Sequence, residues 1–237
     1  MTDPITTETP GSVAPPKTAA WEDVLDIFYA PRQVFQRRID GKYWIPLLVL
    51  CVISMLVFLL SAQMNEALQD AEFARVMKQN GLTAEQAAGA KAMGKKFAAL
   101  AIYIIPVFVA IGAWVSGLVL MLLGNAMGGK LNFAQGTTIA VLGSMPELLG
   151  RILVGVQGML LDTSTVVHRY SFSINAARFL PADANNWLLK LGSLADPFVI
   201  WGLFLTGMGA WIIGRMEKEK AAVLAIVVAL VGAALFR

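Results

Sequence analysis

The stretch DPFVIWGLFLTGMGAWIIGRMEKEKAAVLAIVVAL, residues 196–230, decides the fold class. Two apolar segments flank one charged turn, Arg215–Lys220. Asp196 is a natural N-cap and Pro197 a natural first helical residue, so the first segment reads as a helix over about 197–213. Gly202, Thr206, Ala210 and Gly214 lie four apart along it, and Ala221, Ala225, Ala229 and Ala233 repeat that spacing along the second. In a membrane, small residues in such a row let helix backbones approach closely. The two stripes are expected to pack on each other as an antiparallel hairpin.

Three further apolar segments precede this one, over about Trp44–Met64, Phe97–Leu123 and Phe133–Leu161. A helix needs about 20 apolar residues to cross the hydrocarbon. The whole chain is 57% hydrophobic and 15% charged, where a soluble domain is charged at roughly 25% of its positions. The expected architecture is all-α: a polytopic membrane protein of five transmembrane helices. A net charge of +3 with its excess scattered along the chain argues against a nucleic-acid partner. Cys51 is the single cysteine, which excludes an internal disulfide and reads as a small buried hydrophobe.

Residues 1–19 are rich in Pro, Thr and Gly and lack the charged and apolar parts of a secretory signal. A disordered tail is expected there, with the membrane domain over 20–237 and its first span acting as an uncleaved anchor. Trp21, Val24, Leu25 and Phe28 fall on one helical face, opposite Glu22, Asp23 and Asp26. This reads as an amphipathic surface helix. A second short helix from Pro31 carries Arg32, Arg37 and Arg38, basic residues suited to anionic lipid. Trp21, Phe28, Arg32, Arg37 and Arg38 are thus the expected anchoring residues.

Two prolines lie inside expected spans, Pro106 in the second and Pro146 in the third, and each is expected to kink its helix. Glu147 and Arg151 follow Pro146 at membrane depth. Ionisable groups there face protein or water and mark candidate functional sites. Their spacing places both on one helix face, where they can neutralise each other. Residues 65–96 read as two helices broken at Asn80-Gly81, the second opened by a capping box of Thr83 and Gln86. His168 is the only histidine and has no cysteine or paired acid near it in sequence, so no metal or other cofactor is expected. No nucleophile–base spacing appears, and the chain is not read as an enzyme. Lysines and arginines divide evenly between the two sides of a five-span topology, so charge alone leaves orientation open.

Several segments in order resemble the Ypt-interacting-protein (Yip-one) domain family of membrane proteins, in its bacterial branch. They are DIFYAPRQVFQRRIDGKYWIPLL from Asp26, GLTAEQAAGAKAM from Gly81, FAQGTTIAVLGSMPELLG from Phe133, and the stretch from Asp196 quoted above. The resemblance covers about residue 21 onward. It implies five membrane helices in the bacterial cytoplasmic (inner) membrane, with the N-terminus cytoplasmic and the C-terminus outside. Eukaryotic relatives look like Golgi and endoplasmic-reticulum proteins that bind prenylated Rab GTPases. The DLYGP-like motif of those relatives is missing from this sequence, and the resemblance supplies no activity for bacterial members.

Two functions fit this reading. One is a non-enzymatic adaptor or organiser whose partners are membrane lipids, other membrane proteins or a second copy of itself. The other is a small transporter, channel or lipid-moving protein built around Glu147 and Arg151. The environment of those two side chains discriminates: a water-accessible cleft containing both favours transport, and a dry pair packed against the Gly202–Gly214 face favours the adaptor.

Overall fold

The computed structural model describes residues 21–80, 84–160, 170–181 and 183–236. The expected tail over 1–19, the capping box at Thr83, His168 and the side chain of Ala233 lie outside the described residues. Every regular element among those described is helical. In chain order they are α1 (Asp23–Asp26), α2 (Pro31–Arg37), α3 (Trp44–Leu60), α4 (Ala62–Asn80), α5 (Ala84–Ala126), α6 (Phe133–Gly143), α7 (Met145–Leu160), a 3-10 turn (Ala176–Phe179), α8 (Asn186–Leu194), α9 (Pro197–Ile212) and α10 (Lys218–Phe236).

Two segments are each long and apolar enough to cross a membrane alone, Leu100–Ala126 and Phe133–Leu160. Two bent pairs also qualify if each is one span: α3 with the start of α4, turning by 76°, and α8 with α9, turning by 61°. The count is therefore two to four among the described residues, against the five expected. The first expected span ends earlier than its hydropathy implied. Its helix stops at Leu60, and the chain turns at Ser61 before Met64 is reached.

α6 is the centre of the bundle. Gly136, Thr137, Thr138, Ile139, Val141, Leu142 and Gly143 are all buried in it, and it touches α3, α5, α7 and α9. Two hydroxyls survive at this depth because they bond within their own helix: Thr137 donates to the Phe133 carbonyl at 2.9 Å and Thr138 to Ala134 at 2.8 Å. The helix starts at Asn132, which accepts from Gln135 N at 2.8 Å while the Gln135 side chain accepts from Asn132 N at 3.0 Å. This capping box satisfies two N–H groups the helix cannot bond itself.

Close approach depends on missing side chains. A Cβ on Gly136 would run into the Gly117 carbonyl, and one on Gly117 into Thr137. The small residues that seat α5 on α6 are therefore Gly117 and Gly136, whereas Gly112 has nothing within 4 Å of its would-be Cβ among the described residues.

The terminal hairpin is present, since α9 packs along α10. Its contact differs from the stripe-on-stripe arrangement expected. α10 meets α9 at Gly207, whose would-be Cβ lies 3.5 Å from the Ala221 carbonyl and 3.7 Å from the Ala225 methyl. A Cβ on Gly202 would instead lie 2.8 Å from the Gly143 carbonyl oxygen, and one on Gly143 would lie 2.5 Å from the Thr206 hydroxyl. Gly214 faces Leu131, and Ala210 is fully buried. The reason is that α9 packs against α2, α6, α7 and α10 at once: α6 takes the Gly202–Thr206 side and α10 the Gly207 side. Of the alanine row, Ala221 and Ala225 are buried and Ala229 is half-buried.

Both prolines lie in helical regions with different outcomes. α5 continues through Pro106 as one helix, and the Pro106 carbonyl accepts a weak bond from the Cys51 thiol at 3.5 Å. The third span is interrupted at Ser144, whose hydroxyl donates to the Val141 carbonyl at 2.8 Å, and Pro146 becomes the second residue of α7. At that position its missing N–H has no helical partner to lose.

Candidate functional site

Two groups of charged side chains stand out, one at each of two places in the bundle. The first is a corner made by α1, α2 and the helices beneath them. The chain reverses at Ala30-Pro31, which lays two carboxylates of α1 over two guanidiniums of α2. Arg37 Nη2 lies 2.8 Å from Asp23 Oδ1 and 2.5 Å from Asp26 Oδ2, and Arg38 Nε donates to the other oxygen of Asp23. Asp23 is completely buried, as are Ile27, Val34 and Phe35. Tyr29 donates its hydroxyl to Asp26. That bond, followed by the one from Arg37, holds the Asp26 carboxyl below its ordinary value, and the same bond raises the Tyr29 hydroxyl.

This corner revises the anchoring face. Asp23 points inward, not outward, and Arg37 and Arg38 are bound to carboxylates instead of being offered to lipid. Arg32 stacks 5.7 Å from the Trp211 ring centroid, and Phe28 meets Trp201 edge-on at 5.3 Å. Trp21, Leu25 and Tyr29 remain exposed. Helical periodicity missed Asp23 because α1 has only one turn, so its burial depends on what folds over it. The corner is also tied to α6. The Gln135 side chain donates to the Ile39 carbonyl at 2.9 Å, and Gly41, at φ +80°, sits against Ala134 where a side chain would not fit.

The second place is a partly open cavity of about 750 Å³, lined by the end of α3, the start of α4, α5, α7, residues 170–175, and the α8–α9 joint. Volumes of roughly 300–1,000 Å³ are typical of ligand pockets. Glu147 and Arg151 both line it from α7, so the structure places these two sequence-derived candidates in one wall. Glu147 is half-buried and Arg151 exposed. Most of the remaining wall is apolar, including Val57, Phe58, Ile105, Phe108, Val154 and Phe198.

Glycines on α7 draw the walls together. A Cβ on Gly150 would lie 2.8 Å from the Phe198 ring, and one on Gly155 would lie 2.8 Å from the Ser61 hydroxyl. The bend at Ser61 turns α4 across the end of the cavity. Asp196 lines the cavity too, but one carboxylate oxygen is engaged as the N-cap of α9, accepting from Phe198 N at 2.8 Å and Val199 N at 3.4 Å.

Two polar groups in this wall were not singled out from the sequence. Ser54 and Ser61 are only 7% and 4% exposed, and neither hydroxyl has a hydrogen-bond partner among the described residues. Buried hydroxyls in folded proteins are almost always partnered. The available signal was composition: Ser54 is the only hydroxyl residue inside α3. Among the described residues no group of His, Cys, Asp or Glu is arranged to hold a metal.

A family model described as the Yip1 domain matches residues 25–236. None of the curated proteins and none of the solved structures compared with the chain matches it.

Proposed function

The chain belongs to the Yip1 domain family, and from that premise we propose that it is a non-enzymatic membrane protein that binds lipid inside its helical domain. The supporting observation is the cavity of about 750 Å³ whose mostly apolar wall carries Glu147 and Arg151 together with two buried hydroxyls. A mostly apolar space with polar groups at several points of its lining suits an amphiphile better than a solute or an ion. As a lipid-binding organiser it acts in the cytoplasmic membrane of a bacterial cell with its N-terminus inside. The family resemblance and the basic Arg215–Lys220 turn support that orientation. Movement of the bound lipid between leaflets is the second reading, favoured by Arg151 being exposed at the cavity wall.

The test is lipid content. Protein purified from its own membrane in a mild detergent is expected to carry a stoichiometric lipid detectable by native mass spectrometry. Val154→Trp, which puts a large side chain into the cavity wall, should remove most of that lipid while the protein stays folded. Equal lipid content in both proteins would sink the cavity as the binding site.

A further inference from the structure

The charges in the cavity wall select among lipids. Glu147 and Arg151 lie four residues apart on α7 and both line the space, so their charges cancel. Among the described residues the third charged side chain in the wall is that of Asp196, which is already engaged by the first turn of α9. An anionic headgroup at Arg151 would set an uncompensated negative charge beside Glu147. A headgroup with both signs meets both side chains without that cost. We propose that the cavity is a site for a zwitterionic glycerophospholipid bearing a primary ammonium, with the phosphodiester on Arg151 and the ammonium on Glu147. This rests on the lipid-binding reading above and deepens it.

Geometry and chemistry agree with that choice. Side chains at this spacing on a helix have Cβ atoms about 6 Å apart. The two charges of a phosphoethanolamine are joined by two carbons, so one headgroup reaches both. A guanidinium presents a planar fork matched to phosphate oxygens. A primary ammonium has three N–H donors to give to a carboxylate, whereas a quaternary ammonium has none and seeks aromatic faces. The hydroxyls of Ser54 and Ser61, buried and without partners among the described residues, lie two turns apart along α3. They offer donors to the glycerol ester oxygens. Phe58, Phe108 and Val154 supply an apolar path for the acyl chains, which a water-soluble phosphoethanolamine would leave unused.

The experiment compares headgroups on the intact protein, stripped of lipid in detergent, with binding read by native mass spectrometry. The probes are dioleoyl phosphatidylethanolamine, its N-methyl and N,N-dimethyl derivatives, phosphatidylcholine and phosphatidylglycerol. Affinity is expected to fall with each methyl added, by about tenfold across the series, the worth of one charge-assisted hydrogen bond. Glu147→Gln should abolish the dependence on methylation and make phosphatidylglycerol the better ligand, and Arg151→Gln should weaken all of them. The methyl series uses the unaltered chain, so it decides the matter even if a variant does not fold. Equal binding of the ethanolamine and choline lipids overturns the inference alone. Competition by glycerophosphoethanolamine as effective as that of the lipid overturns the assignment to a lipid. Binding of none of the probes overturns the lipid-binding reading itself.

Discussion

The N-terminal corner and the cavity each hold acidic and basic side chains, and the two are built to opposite ends. In the corner, Asp23 is fully buried and bridges Arg37 and Arg38, while Asp26 shares the Nη2 of Arg37 with it. The charges there pair with one another, although Asp23 Oδ1 and Arg37 Nε make no hydrogen bond among the described residues. In the cavity wall, Glu147 and Arg151 border open volume, and Ser54 and Ser61 are buried without partners among the described residues. The difference teaches that a pair of charges in a membrane domain is not informative by itself. What matters is whether the surrounding elements close over it or leave room beside it.

The comparison can be broken most forcefully at Asp23. Asp23→Ala leaves two guanidiniums in a buried corner without their shared carboxylate, and breaking such a pair costs about 3–5 kcal/mol. Thermal unfolding in detergent should show a large drop in Tm or loss of folded protein; a small change would mean that the corner is wetter than its geometry implies. Ser54→Ala sharpens the contrast from the other side. In lipid-stripped protein it removes a desolvated, unpartnered hydroxyl and should stabilise by about 1–2 kcal/mol. With phospholipid bound the same substitution should weaken retention, and the absence of that reversal would disconnect Ser54 from the ligand. The smallest effect is with pH. The Asp26 carboxyl is held below its usual 3.8 in the folded chain, first by Tyr29 and then by Arg37. Its contribution is therefore complete above that value and is lost only as pH falls through the lowered one. The Tm difference between the unaltered protein and Asp26→Asn should stay constant from neutral pH to about pH 4 and shrink below it.

Much of this fold was legible from local pattern. Apolar length marked the spans, Asp196-Pro197 marked the start of α9, and the short charged turn marked the last hairpin. These are signals carried by neighbours in sequence, and local physics suffices to read them. The pairing of faces was not legible. Four-residue spacing made Gly202 and Thr206 a plausible seat for α10, but that spacing cannot say which of two neighbouring helices occupies it, and α6 does. Likewise Gly112 and Gly117 both look like packing positions, and only Gly117 meets another backbone. Part of the candidate site was legible as well: Glu147 and Arg151 stood out because ionisable residues are rare at that depth. Ser54 and Ser61 did not, because a lone serine in a span ordinarily bonds its own helix.

The sequence by itself determined that this chain is a helical membrane protein, where its helices begin, and which family it resembles. Those properties follow from hydropathy, caps and residue order, each summed over adjacent residues. Only the tertiary structure decided that Asp23 is a buried clamp and that Glu147 and Arg151 face a cavity. Both depend on which distant segment folds over a side chain, and no spacing along the chain encodes that.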